Sequence, residues 1–207
     1  MFLSPTIIIK GYNKGIFPMA DSFNDPFVFW VEPKERGIIK IEEFKINRSL
    51  KKELKKQKCT IKVNENFEKI IKLCAKNSNR KSTWINNQII ESYIQLFKIG
   101  IAKSIECFEN DKLIGGLYGI IVGKIFCGES MFSLKKNSSK IALAYLAAYL
   151  KEGGFKYIDT QFYSEHLKQF GTKKIKKEKY LNILSRYGKN NADFPKKIKK
   201  NVLEYFK

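Results

Sequence analysis

The stretch Phe126-Cys127-Gly128-Glu129-Ser130-Met131-Phe132 reads as a buried strand that carries one carboxylate. Upstream, Lys112-Leu113-Ile114-Gly115-Gly116-Leu117-Tyr118-Gly119-Ile120-Ile121-Val122 is an apolar, glycine-spaced run that reads as its partner strand, with Gly123-Lys124 as a tight hairpin turn. Downstream, residues 137–150 predict a helix and 155–162 a second strand, which carries Asp159 and Gln161. Buried polar groups cost free energy unless each is paired, so Glu129, Asp159 and Gln161 are expected to form one site. Strand residues two apart share a face, which places Asp159 and Gln161 together and turns Ile158 and Thr160 the other way. A carboxylate so placed can accept from the carboxamide NH2 and aim its carbonyl into a cleft. Glu129 would add an acceptor or act on a proton. The alternative for either strand is a satisfied polar network within the sheet.

A chain of 207 residues can hold one good core with a small appended domain, and 43% hydrophobic content excludes a disordered tail. Lys+Arg is 40 against Asp+Glu 20, a formal charge of +20 spread along the chain. Such a field suits a polyanion, most simply nucleic acid, although a lysine-rich composition alone gives the same total. Only Arg36, Arg48, Arg80 and Arg186 are arginine, and lysine suits phosphate contact better than base reading. Cys59, Cys74, Cys107 and Cys127 are far apart with no C-x-x-C, and with one histidine a zinc site is not expected. No apolar run reaches membrane-spanning length and no signal-peptide pattern precedes Lys10, so the expectation is a soluble, cytoplasmic protein.

Ser4-Pro5 predicts an N-cap and first turn for a short helix over residues 6–13, followed by a compact aromatic turn to Met19. Strand candidates at 27–30 and 37–41, punctuated by Asp25-Pro26 and Glu32-Pro33, suggest a small N-terminal subdomain over 1–36, with the main domain over 37–207. Residues 48–58 form an amphipathic helix with Leu50 and Leu54 inward and a basic outer face that includes Arg48, Lys51, Lys52 and Lys55. A strand at 59–63, helices around Phe67–Cys74 and Asn86–Ile99, and a meander through the Asn110-Asp111 turn complete the middle of the chain. A short helix at 164–170, a basic run at 173–179 leading into a last helix, and a lysine-rich end that is either docked or frayed follow. This order of elements predicts an α+β domain.

Several standard sites are absent from the sequence. Gly128-Glu129-Ser130 is not the G-x-S-x-G nucleophile elbow, and no phosphate-binding G-x-x-x-x-G-K-[ST] occurs. His166 alone could serve a serine or cysteine triad, and it reads more simply as a helix-terminal histidine. An α+β domain of this order is similar to the acetyltransferase architecture, yet the turn 135–140 that would cradle a pyrophosphate has no glycine, which argues against coenzyme A.

Tyr12-x-x-Gly15-Ile16-Phe17-Pro18, Arg48-Ser49-Leu50, Thr83-Trp84-Ile85, Ala102-x-Ser104-Ile105-Glu106, Gly115-Gly116-Leu117-Tyr118-Gly119, Gly128-Glu129-Ser130-Met131-Phe132-Ser133, Ser139-Lys140-x-Ala142-Leu143 and Asp159-x-Gln161 with His166-Leu167 occur in order. With these, the chain resembles the leucyl/phenylalanyl-tRNA–protein transferases over residues 3–187. The resemblance implies an acetyltransferase-like main domain of the acyl-CoA N-acyltransferase type. It also implies an aminoacyltransferase of the N-end rule pathway that moves leucine or phenylalanine from aminoacyl-tRNA to proteins beginning with Arg or Lys, with no cofactor and no metal. Catalytic residues then fall on Asp159, Gln161 and Glu129, the 3′-adenosine site on Tyr12, Trp84 and Tyr93, and the side-chain pocket on Phe126, Met131, Leu143 and Ile158. The tRNA would lie on Arg48, Lys51, Lys52 and Lys55, held through phosphates. The protein is expected to act as a monomer.

The chain begins close to Leu3-Ser4-Pro5, so the small domain is expected to be reduced relative to longer members, and Met19 stands where the family often has tryptophan. Read from the residues alone, Trp84 and Tyr93 fit a core as well as a stacking site. Two further readings remain from the sequence: a non-catalytic tRNA-binding module, and an N-acetyltransferase, which the glycine-free turn disfavours. Transfer to acidic N-termini is a variant of the first reading.

Overall fold

The computed structural model describes residues 3–76 and 82–206. Arg80 lies outside them. Helix α1 (Pro5–Asn13) starts as expected, with the Ser4 hydroxyl accepting from the Ile7 N–H and proline in the first turn. The segment that follows is more regular than expected: β1 (Phe17–Met19) pairs antiparallel with β2 (Phe29–Val31) in a two-stranded ribbon. Gly11 has no Cβ because the Trp30 ring of that ribbon occupies the place, at 2.2 Å.

Strand β3 (Glu35–Lys40) does not stay with the ribbon, and the boundary expected after residue 36 falls inside it. It joins the main sheet with β4 (Thr60–Val63), β5 (Ala102–Glu109), β6 (Lys112–Val122), β7 (Ile125–Ser133), β8 (Tyr157–Gln161) and β9 (Lys173–Lys176). Among the described residues the strand order is β4-β5-β6-β7-β8-β3-β9, antiparallel except for the β7–β8 pair. The basic run at 173–176, expected to lead directly into a helix, is the edge strand β9, a position where solvated lysines blunt an exposed edge. The meander is as expected: Asn110 and Asp111 both take positive φ, at 47° and 59°, and close the β5–β6 turn.

Helices cover both faces. On one face lies α5 (Ser138–Glu152), apolar round most of its circumference and buried from Ile141 to Leu150 except for Tyr145. Its flank is covered by α2 (Arg48–Lys55), through Leu50 and Leu54, and by a docked 3-10 turn, Val202–Phe206. The chain end is therefore seated, with Phe206 packed on Phe44. The other face carries α1, α3 (Phe67–Ala75), α4 (Asn87–Lys98) and α7 (Lys177–Tyr187) around Ile70, Tyr93, Tyr118 and Cys127. The short helix α6 (Glu165–Lys168) connects β8 to β9. No helix among the described residues is long and apolar enough to cross a membrane.

Candidate active site

Strands β7 and β8 pair only through Ile125–Tyr157, Phe126–Ile158 and Cys127–Asp159, and then part. Each strand carries an irregularity at the parting. Tyr118 faces Ser130 while Gly119 faces Gly128, so Glu129 is one residue more than β6 can match. Gly37 faces Gln161 while Ile38 faces Asp159, so Thr160 is similarly extra in β8. A bulge bends its strand and re-aims the side chains beside it. Gln161 also takes φ +60°, a left-handed conformation uncommon for a residue with a side chain. Gly119 is required opposite the β7 bulge, because a Cβ would stand 2.3 Å from the Cys127 carbonyl oxygen.

Across this opening the Gln161 Nε2 donates to Glu129 Oε2 at 3.0 Å. The Tyr12 hydroxyl donates to Glu129 Oε1 at 2.6 Å, and the Tyr93 hydroxyl to Oε2 at 3.2 Å. The two hydroxyls are themselves 2.5 Å apart. Glu129 is thus a buried carboxylate with three donors. Burial nevertheless dominates, pushing its pKa from the ordinary 4.5 up to about 7 against the lowering effect of those hydrogen bonds. Burial and the neighbouring carboxylate raise both tyrosines well above their ordinary value, so they act as neutral donors.

Asp159 behaves differently from expectation. It was expected to share a face with Gln161 and to hold the carboxamide. The bulge breaks the alternation. Asp159 is fully buried and accepts the Gln161 backbone N–H at 2.8 Å, while the carboxamide goes to Glu129. Its carboxylate is held by the Arg36 fork, Nε to Oδ1 at 2.9 Å and Nη2 to Oδ2 at 2.7 Å, and by the Tyr180 hydroxyl at 2.8 Å. Arg36 was noted in the sequence only as one of four arginines, and Tyr180 not at all. Burial and Asp159 raise the adjacent Cys127 thiol, which stays protonated in this setting.

The Glu129–Gln161 pair borders a cavity of about 450 Å³. Its walls include the four residues expected there, Phe126, Met131, Leu143 and Ile158, joined by Leu117 and Leu146. Trp84 and Met19 line it from the N-terminal side, linked by the Ala20 N–H on the Trp84 carbonyl at 3.0 Å. Tyr12 and Tyr93, expected with Trp84 at the 3′-adenosine site, are fully buried, and both hydroxyls donate to Glu129. His166 borders the cavity, with its pKa lowered by partial burial and by Lys140. Arg48, Lys51, Lys52 and Lys55 are all exposed on α2, which packs against α5 on the face of the sheet that carries Leu143 and Leu146.

An apolar cavity of this size with a few convergent polar groups is a binding site. Its polar end offers a carboxylate that can hold or accept a proton near neutrality, and a carboxamide fixed by hydrogen bonds at both its backbone and side chain. Fold and site define an α+β protein with an apolar cavity closed at one end by a carboxylate and a carboxamide. A crystal structure of FemX shares this fold, with a TM-score of 0.54 at 13% identity, covering 70% of this chain and 60% of that one. A model of the leucyl/phenylalanyl-tRNA protein transferases matches residues 38–185, and one of their N-terminal domain matches residues 1–34. A leucyl/phenylalanyl-tRNA–protein transferase of Novosphingobium aromaticivorans is 46% identical over 89% of this chain and 70% of its own. Another from Rhodopseudomonas palustris is 42% identical over 93% of this chain and 84% of its own. The chain belongs to the leucyl/phenylalanyl-tRNA–protein transferase family and is an aminoacyltransferase.

Proposed function

We propose that this enzyme moves leucine or phenylalanine from aminoacyl-tRNA to the α-amine of proteins that begin with arginine or lysine, creating a signal for degradation in the cytoplasm. The main body takes the role of an acetyltransferase-like domain of the acyl-CoA N-acyltransferase type, residues 1–36 that of a small N-terminal domain, and the enzyme acts as a monomer. The observation that carries the reading is the Glu129–Gln161 hydrogen bond at the opening between β7 and β8, at the polar end of an apolar cavity.

The aminoacyl side chain enters among Phe126, Met131, Leu143 and Ile158, and the terminal adenosine lies against Trp84. The acceptor α-amine attacks the ester carbonyl carbon. A C–N bond forms, the C–O bond to the ribose breaks, and the proton leaving the amine is balanced by the one the ribose oxygen takes up. The ester is already activated, so no ATP is consumed. With an ordinary α-amine pKa of about 8, a useful fraction of the nucleophile is neutral near pH 7.5. The protein's contribution is then mainly orientation. Glu129 Oε2 and the Gln161 carboxamide hold the amine side of the reaction, and Asp159 fixes Gln161 from behind. The cationic first residue of the acceptor suits the negative charge at Glu129. The tRNA body rests on Arg48, Lys51, Lys52 and Lys55, through phosphates alone.

The test is transfer of labelled leucine and phenylalanine from charged tRNA to proteins starting with Arg, Lys, Asp, Glu or Met. Transfer to Arg and Lys starts supports the reading. Transfer to Asp and Glu starts alone would replace the acceptor rule, and tRNA binding without transfer would replace the enzyme with a binding module.

A further inference from the structure

We infer that Arg36 and Tyr180 are positioning residues for the transfer, acting on Gln161 through Asp159; the inference rests on the aminoacyl-transfer reading of this site. Arg36 is 1% exposed, the one buried cation among the described residues of the main sheet. Its guanidinium lies between two rings, 4.8 Å from the centroid of Phe17 and 4.4 Å from that of Tyr180. Its Nη1 donates to the Gly15 carbonyl oxygen at 3.0 Å. The remaining edge of the fork takes both oxygens of Asp159, and the Tyr180 hydroxyl takes Oδ2 as well.

A buried ion pair is weak evidence for stability, because desolvating both charges offsets much of their attraction. Its geometric effect is what distinguishes it here. Asp159 Oδ1 accepts the backbone N–H of Gln161, the residue held at φ +60°. Strained backbone persists only where the surroundings over-determine it. In this site the over-determination comes from Asp159, and the orientation of Asp159 comes from Arg36 and Tyr180. The same left-handed residue directs its carboxamide to Glu129. Three separate parts of the chain meet at the guanidinium: the segment after α1 through Gly15 and Phe17, strand β8 through Asp159, and α7 through Tyr180. Tyr12, in the last turn of α1 just before that first segment, holds the other carboxylate. The two carboxylates are thereby set relative to each other by one N-terminal segment.

Lysine cannot replace Arg36 in this arrangement, since an ammonium lacks the planar fork and cannot serve Asp159 and Gly15 along fixed directions. Tyr180→Phe is the finer probe: it keeps the ring under the guanidinium and removes the donor to Asp159, together with the long hydrogen bond the hydroxyl accepts from Arg36 Nη2 at 3.4 Å. The test measures kcat and KM for charged tRNA, and thermal unfolding, in the full-length wild type, Tyr180→Phe, Arg36→Lys and Val202→Ala, the last a destabilising control in the core beneath α5. Small misplacement of a reacting group can cost about a hundredfold in rate. We expect kcat to fall about tenfold in Tyr180→Phe and about a hundredfold in Arg36→Lys, with KM within about twofold of wild type, while Val202→Ala keeps its kcat at a temperature where it is folded. A wild type that transfers normally together with folded Tyr180→Phe and Arg36→Lys of unchanged kcat would overturn the inference. Equal losses in kcat in all three variants would do the same, by assigning the effect to stability. A wild type with no transfer would instead overturn the underlying reading of the site.

Discussion

Replacing Glu129 by glutamine tests the electrostatics of the site without emptying it. The side chains match in shape, and the network can be rebuilt around the new amide: its oxygen can take the Gln161 Nε2 and the Tyr93 hydroxyl, while its NH2 turns to Tyr12, whose hydroxyl can accept. What disappears is the ionisation. Burial places the folded-state pKa of Glu129 at about 7, above the ordinary 4.5 of the unfolded chain. The folded state therefore binds the proton more tightly. Between these values the folded protein holds more protons than the unfolded one, so the stability contributed by this group is full below pH 4.5 and is lost as pH rises through 7. For those two values, wild type loses roughly 2–3 kcal/mol from this group between pH 5 and pH 8. Glu129→Gln has no such loss. Urea unfolding followed by tryptophan fluorescence at the two pH values should show the variant gaining roughly 2–3 kcal/mol on wild type from acid to alkaline. A stability difference that is the same at both pH values would refute the argument that burial, and not the three donors, sets the state of this carboxylate.

Tyr12→Phe removes the shortest hydrogen bond to Glu129, one of the influences holding its pKa down, so the pH–rate profile for transfer should move to higher pH, with kcat lower by about tenfold. Met131→Phe narrows the cavity wall and should reduce phenylalanine transfer more than leucine transfer, by about tenfold or more in relative kcat/KM. Trp84→Ala should weaken binding of an aminoacyl-adenosine fragment by about 1–3 kcal/mol, measured by calorimetry. Exchanging Arg48, Lys51, Lys52 and Lys55 together for glutamine should raise KM for charged tRNA and flatten its salt dependence, by a slope of about 3 to 4 if each contacts a phosphate, with kcat unchanged.

Local signals carried much of the fold. Ser4-Pro5 stated its helix start, Asn110-Asp111 its hairpin, and Leu50 with Leu54 the inward edge of α2. What was not legible depends on pairing between distant segments. Strand β3 pairs with residues more than a hundred positions away, and although its residues from 37 on were expected in the main domain, nothing local names those partners. The short strand β9 is almost wholly lysine, and only its place at the sheet edge makes that composition acceptable.

The site divides the same way. Glu129 and Gln161 were visible as polar residues in apolar strands, and the apolar wall followed from the resemblance. Ideal alternation misassigned Asp159, because a single extra residue at Thr160 turns the side chains after it. The resemblance placed Tyr12 and Tyr93 at the 3′-adenosine site, and their hydrogen bonds to Glu129 had no sequence signal, since a tyrosine that will hydrogen-bond a buried carboxylate looks in sequence like any other aromatic. Arg36 did leave one signal, arginine beside an apolar strand in a chain whose cations are otherwise nearly all lysine.

If the Glu129–Gln161 pair orients the reacting amine, its loss must show in the single-turnover rate of transfer. Wild type and Gln161→Ala, each saturated with leucyl-tRNA, would be mixed with an acceptor beginning with arginine. Gln161→Ala should keep tRNA affinity within about twofold of wild type and slow the transfer step by about a hundredfold or more. Transfer at the wild-type rate from Gln161→Ala would contradict that orienting role.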